Sequence, residues 1–323
     1  MNTGLHTSKG LIPSPTFFPV TTFGRSFEVD ELIRPHLDRF CPAILSSLHY
    51  ARPMKEPWDR PLFIDSGGFA SLMEGSSIIA FGETHGIETA DGTVTRADEV
   101  LAIQESYAEI GATLDFIVTP SMDKSEANFR QEITIRNALW ALRHRQRQNL
   151  LLYASVQAWD RLSAERIMRE LADHEFDGFA LGGMIPRLSK PEQILEIVEA
   201  IREVDSERPL HVFGVGVPSL MRRLFDAGVS STDSSTYVRQ AISGRYLDPE
   251  SGKFKSIEEI QKPGDQCDCA VCRTFDREYL VLEGPLNRMA LALHNLHALL
   301  SLSLLPVTSD GLSTTTAHLH PAP

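Results

Sequence analysis

An α/β fold, and within that class a (β/α)8 TIM barrel, follows from three observations on the 323-residue sequence. Short apolar runs alternate with helix-periodic stretches, the runs are apolar on both faces, and many such units fit within about 200 residues. Strands that are buried on both faces and separated by helices form parallel sheets, and an open doubly wound sheet is the alternative to closure.

The expected strands, in order, are "PLFI", "DFIVT", "LLLYASVQ", "FDGFAL", "LHVFGVG" and "GVSSTD". Each is four to eight residues of mainly apolar or β-branched character. The expected helices are "TRADEVLAIQESYAEIG", "SEANFRQEITIRNALWALRHRQ", "SAERIMRELADHE", "KPEQILEIVEAIREV" and "SLMRRLFDAG". Several open on Ser, Thr or Pro and close on Gly, the usual punctuation of helix ends. The barrel, with an N-terminal hairpin, is expected over 1–245. A zinc-binding subdomain with a closing helix is expected over 246–303, and a disordered tail over 304–323.

Composition narrows the function classes. With 42% hydrophobic and 23% charged residues the chain is ordinary for a globular protein, and no apolar stretch is long enough to span a bilayer. The first residues, "MNTGLHTSKG", lack the apolar region of a secretory signal, so the expected compartment is the cytoplasm, where thiols stay reduced. A net charge of −12 argues against bulk attraction of polyanions, and any contact with nucleic acid must be local.

In parallel α/β folds the chemistry gathers at the C-terminal ends of the strands. The polar and glycine residues at those ends are Asp65 and Ser66, Asp123, Gln157, Gly182 and Gly183, Gly214 and Gly216, and Asp233. "FIDSGGF" places a carboxylate and two glycines where the chain leaves a strand, which suits either close approach of a flat ligand or a tight turn capped by Asp65. Asp233 sits in "AGVSSTDSSTYVR", among hydroxyls able to keep it ionised. Two such carboxylates suit a glycosyl transfer, one as nucleophile and the other moving a proton, although each could simply cap a helix.

"CDCAVC" holds Cys267, Cys269 and Cys272, three thiols within six residues. In a reducing compartment this spacing points to structural zinc rather than a disulfide, with His294 or His297 of "PLNRMALALHNLHALL" as the fourth ligand. A closed four-ligand site stabilises and leaves no position for catalysis. Cys41, alone, reads as a buried apolar residue.

Taken in order, these pieces resemble the tRNA-guanine transglycosylase superfamily over residues 5 to 300. "HTSKGLIPSPTFFPVTTFG", "FIDSGGF", "SVQAWD", "FDGFALGGM", "VFGVGVP", "GVSSTDSS" and "CDCAVC" followed by "HN" are similar to its motifs. The resemblance implies a zinc-containing barrel that exchanges guanine in nucleic acid for a 7-deazaguanine base. It implies Asp233 as nucleophile, Asp65 as acid/base, and Ser66, Phe69, Gln157, Gly182, Gly183 and Phe213 around the base. It favours His294 over His297 and places a second base-binding carboxylate at Asp123.

Departures from the family pattern refine the expectation. "GGMIPR" puts Pro186 and Arg187 where tRNA enzymes carry an acid that reads an aminomethyl group, which favours a neutral base such as preQ0. "STYVRQAISGR" lacks the family's tRNA-contacting run, which suggests the DpdA-type branch that modifies DNA, with a tRNA enzyme as the alternative. Arg187, Arg222, Arg223, Arg239 and Arg245 are candidate phosphate contacts. Expected partners are nucleic acid, the free base, an ATP-driven protein that opens a duplex, and a second copy of the chain. The rival classes are a silent nucleic-acid-binding subunit and an unrelated barrel enzyme of phosphorylated metabolites.

Overall fold

The computed structural model describes residues 4–37, 39–259 and 267–304. The tail expected from 304 lies outside the described residues, apart from Leu304 at the end of its helix. A hairpin of β1 (Gly4–Thr7) and β2 (Gly10–Pro13) leads into the barrel strands β3 (Thr16–Pro19), β4 (Ile44–Ser46) and β5 (Leu62–Ile64). An antiparallel insert follows, β6 (Ser77–Phe81), β7 (Thr84–Glu88) and β8 (Val94–Thr95). The barrel resumes with β9 (Ile110–Ala112), β10 (Leu151–Gln157), β11 (Gly178–Gly182), β12 (Leu210–Val212) and β13 (Ser231–Ser234). A last hairpin, β14 (Arg245–Asp248) and β15 (Lys253–Ser256), precedes the C-terminal helices.

The eight barrel strands are all parallel and run in the order β3-β13-β12-β11-β10-β9-β5-β4. A parallel bridge between Val20 and Leu45, with the Thr21 amide donating to the Leu45 carbonyl at 2.9 Å, joins the two end strands. Closure rules out the open doubly wound sheet. Phe18, Leu45, Phe63, Ile110, Ala112, Tyr153 and Ala180 fill the interior, while the outward faces pack under the helices. Both faces of each strand are therefore dry, which is why the runs read as apolar without alternation.

One of the six expected strands is misplaced, and β3 and β4 are not among the six. "DFIVT" is not a strand; β9 lies earlier, at Ile110–Ala112, and residues 113–119 leave it as irregular backbone. That segment is held by amide bonds from Phe116 to Thr134 Oγ1 (3.1 Å) and from Val118 to Gln157 Oε1 (3.1 Å). "DFIVT" looks like a strand because Phe116 and Val118 are fully buried, but their backbone pairs with side chains.

The N-terminal hairpin covers the lower end of the barrel. Buried Glu109, just before β9, accepts from the Ser8 hydroxyl at 2.6 Å and pairs with Arg147 at 3.1 Å and Lys9 at 3.5 Å. At the other side, helix Pro285–Leu304 packs across the helices Val29–Leu37, Pro218–Asp226 and Thr236–Ile242. Buried Asn295 fastens it: Oδ1 accepts from the Leu247 amide at 2.7 Å, and Nδ2 donates to the carbonyls of Arg245 (2.9 Å) and Tyr237 (3.2 Å). Among the described residues no helix is long and apolar enough to cross a membrane.

Asn295→Ala leaves a buried amide and two carbonyls without partners. It should destabilise the fold by about 2–3 kcal/mol in denaturant unfolding at unchanged m-value.

Candidate active site

A cavity of about 700 Å3 opens at the C-terminal end of the barrel. Asp65, Ser66, Phe69, Asp115, Gly182, Gly183, Phe213 and Asp233 line it, and the 89–93 turn of the insert stands at its rim. The strand ends thus bring seven of the nine residues expected at the catalytic and base-binding positions into one chamber. Gln157 stands just behind the wall, and Asp123 is elsewhere.

Asp123 caps helix Lys124–His144, accepting from the Glu126 amide at 2.9 Å with its side chain in solvent. The carboxylate that the chamber holds is Asp115, which sequence reasoning placed at the start of a strand instead of after one. Asp115 is 4% exposed and accepts from Ser66 Oγ at 2.5 Å on Oδ1 and from Gln157 Nε2 at 2.5 Å on Oδ2. A signal was present: "EIGATLD" runs from strand to carboxylate just as "PLFID" does, but two small residues in the strand hide it.

Asp115 also accounts for the glycines. A Cβ on Gly68 would lie 2.1 Å from Asp115 Oδ1, and one on Gly182 would lie 2.2 Å from Gln157 Nε2 and 3.0 Å from Asp115 Oδ2. Neither position admits a side chain while the carboxylate stays where it is. Gly183 follows with φ +74°, a left-handed turn that favours glycine. Gln157 has both ends of its amide engaged, Nε2 to Asp115 and Oε1 to the Val118 amide, so it braces Asp115 from behind.

Asp65 accepts on Oδ1 from the Gly67 amide at 2.8 Å and the Leu48 amide at 3.2 Å. Burial nevertheless pushes its carboxyl up to about 6, and the charge of Asp233 across the chamber adds to that. Asp233 is 6% exposed, and its Oδ1 lies 2.8 Å from the Gly214 amide and 3.1 Å from His211 Nε2. Burial likewise raises Asp115, against the lowering effect of its bonds to Ser66 and Gln157. Phe213 forms a half-buried wall, and Phe69 is 61% exposed at the rim.

Over residues 3–303 the sequence matches the family described as queuine tRNA-ribosyltransferase. The chain belongs to this family. The queuine tRNA-ribosyltransferase of Nitratidesulfovibrio vulgaris (strain DP4) is 28% identical over 305 residues, spanning 85% of this chain and 80% of that protein. That of Aquifex aeolicus (strain VF5) is 27% identical over 318 residues, covering 85% and 81%. The tRNA-guanine(15) transglycosylase of Methanococcus aeolicus is 26% identical over 253 residues, covering 74% of this chain and 35% of the relative. Membership places the protein among the pentosyltransferases.

Three of the four cysteines of this family member converge on His294. Cys267, Cys269, Cys272 and His294 bring their ligand atoms within 4.8 Å of one another. His294 is fully buried, with Nδ1 3.2 Å from Cys272 Sγ and 3.4 Å from Cys269 Sγ. Its Nε2 lies 2.9 Å from the Leu247 carbonyl, which puts the hydrogen on Nε2 and turns the Nδ1 lone pair toward the sulfurs. Neighbouring thiols pull Cys269 down to about 3, toward the thiolate that a metal takes. This donor set fits a metal ion. His297, near Phe40 and Ser301, stands apart from the four-residue cluster, although it groups with Cys267 and Asp268 in a more exposed set.

The arginines are less available than their positions in the chain suggest. Arg187 is 1% exposed and donates to the carbonyls of Gly183 (2.6 Å) and Val118 (3.0 Å), so it stands behind the chamber wall and is not a phosphate contact. Arg222 donates to the Leu302 carbonyl, Arg223 pairs with Glu192, and Arg245 donates to the Phe254 carbonyl. Arg239 is exposed on the helix that follows Asp233.

The raised carboxyl of Asp65 has a thermodynamic signature. The folded chain holds that proton more tightly than the unfolded chain between about pH 4 and pH 6, so stability falls as pH rises through this window. Asp65→Asn keeps the acceptor oxygen and removes the charge. It should be about 1–2 kcal/mol more stable than the parent at about pH 7.5, with the gain vanishing near pH 4. Denaturant titrations at the two pH values measure it.

Proposed function

We propose that the protein exchanges a guanine base in nucleic acid for a free 7-deazaguanine base through a covalent glycosyl-enzyme. The observation that carries this reading is the pair Asp65 and Asp233 facing one chamber above the buried Asp115. In the first displacement an Asp233 oxygen bonds to C1′ as the bond from C1′ to the base nitrogen breaks. The electron pair leaves with the base, and Asp65 supplies the proton it gains. In the second, the incoming base loses a proton to Asp65, its nitrogen bonds to C1′, and the pair of the Asp233 ester bond returns to the carboxylate. Two inversions restore the starting configuration.

Asp115 is acceptor-only when ionised, which complements the N–H donors on the Watson–Crick edge of guanine and rejects the acceptor presented by adenine. Phe69 and Phe213 offer ring faces to the heterocycle, and Gly182 and Gly183 admit it close to the backbone. The buried Arg187 guanidinium behind Gly183 disfavours a cationic substituent on the incoming base, which supports a neutral one of the preQ0 type. To reach the chamber, the target nucleotide must leave its stack.

Zinc is the metal that a three-cysteine, one-histidine set suits, and Cys267, Cys269, Cys272 and His294 would hold it as a closed structural site within the 246–303 segment. DNA is the polymer favoured by "STYVRQAISGR", which lacks the tRNA-contacting run. The names of the relatives favour tRNA as the second reading.

Labelled preQ0 offered with duplex DNA, single-stranded DNA and tRNA decides the polymer. Label is expected in polymer, and none with Asp233→Ala. Absence of label in every polymer with folded protein would sink the reading. Asp115→Asn should lower kcat/KM for the free base about 10- to 100-fold while the covalent adduct still forms. Elemental analysis should find about one zinc per chain, lost with Cys269→Ser.

A further inference from the structure

His211 lies fully buried inside the barrel, and the exchange reaction as written gives it no part. It sits on β12 in register with Ser231 on β13. Side chains two apart on a strand share a face, so Ser231 and Asp233 both turn toward it. Ser231 Oγ is 2.9 Å from Nδ1, and Asp233 Oδ1 is 3.1 Å from Nε2. Phe63, Phe213 and Phe18 pack around the imidazole at centroid distances of 4.8, 4.5 and 5.8 Å, fixing its rotamer.

We propose that His211, fixed by Ser231, is the positioning residue of the nucleophile, holding Asp233 Oδ1 so that Oδ2 is the oxygen presented to C1′. This inference rests on the role of Asp233 proposed above. An ionised carboxylate oxygen only accepts, so Nε2 carries the hydrogen and donates. The Ser231 hydroxyl then donates to Nδ1 and sets that tautomer. With the Gly214 amide, Oδ1 receives two donors, which leaves Oδ2 as the oxygen facing the chamber. His211 takes no proton and touches no substrate.

The order Ser231, His211, Asp233 has the composition of a hydrolytic triad, but the accessible end is reversed. Asp233 lines the chamber, whereas Ser231 lies two residues deeper in the barrel, 6% exposed and off the chamber wall. The group that meets substrate is therefore the carboxylate, and the serine is the anchor.

Three variants with base-exchange kinetics test this. His211→Phe keeps a ring in the aromatic cage and removes the donor, His211→Gln keeps a donor near the Nε2 position, and Ser231→Ala frees the tautomer. His211→Phe should lower kcat about 10- to 100-fold with KM for the free base within about threefold, the scale of one hydrogen bond to a charged group. His211→Gln should recover to within about fivefold of the parent, and Ser231→Ala should lose about three- to tenfold in kcat. Parental kcat in His211→Phe, a loss confined to KM, or equal losses in the Phe and Gln variants with parental melting temperature and metal content would overturn the inference. Parent protein that exchanges no base counts against the proposed function instead. In that event the nitrogen NMR shifts of His211 still decide: hydrogen on Nε2 supports the inference, and hydrogen on Nδ1 alone overturns it.

Discussion

The buried carboxylate of Asp115 is the constraint around which the barrel mouth is arranged. An acceptor-only group removed from water needs donors and space, and both are supplied from neighbouring strands: a hydroxyl from Ser66, an amide from Gln157, and the missing side chains of Gly68 and Gly182. Gln157 is in turn braced by the Val118 amide, and its carbonyl accepts from Gln131 at 2.6 Å. Three stretches far apart in the chain, "DSGGF", "SVQ" and "LGGM", are thereby one packing solution to one charge.

Three of the carboxylates lining the mouth, Asp65, Asp115 and Asp233, stand at or just beyond strand ends, and each is treated differently. Asp115 is paired with two neutral donors at its two oxygens. Asp233 has both of its partners on one oxygen, the Gly214 amide and His211 Nε2. Asp65 also has its backbone donors on one oxygen, yet burial and the facing charge of Asp233 carry it to about 6. A carboxyl near 6 is suited to giving and taking a proton near neutrality. The differences come from surroundings, since the side chains are identical.

What the sequence revealed and what it hid follow from the range of each interaction. The cysteine–histidine cluster was legible because three of its four members lie within six residues, and the fourth sits on a helix whose periodicity is plain. Asp65 and Asp233 were legible because each ends an apolar run. Asp115 was not, because β9 is three residues long with Gly111 and Ala112 in it, whereas the stronger apolar run "DFIVT" comes after it. Asp123 was misplaced for the same reason: an aspartate just before a helix is a cap first. His211 gave no signal at all, since a histidine inside "LHVFGVG" looks like any strand residue until the neighbouring strand brings Ser231 and Asp233 level with it.

The cysteine–histidine cluster is far from Asp233 along the chain but only a few bonds from it in the fold. Asp233 ends a strand that feeds helix Thr236–Ile242 directly, and the carbonyl of Tyr237 in that helix is gripped by Asn295. The next residue toward the N-terminus is His294, whose ring stacks on Tyr246 at 3.8 Å while Nδ1 faces the cysteine sulfurs. Adjacent residues on one helix therefore fasten the cysteine cluster and the helix that follows Asp233. On the function proposed above, losing the cysteine–histidine cluster should therefore appear as misplacement of the Asp233 carboxylate as well as lost stability.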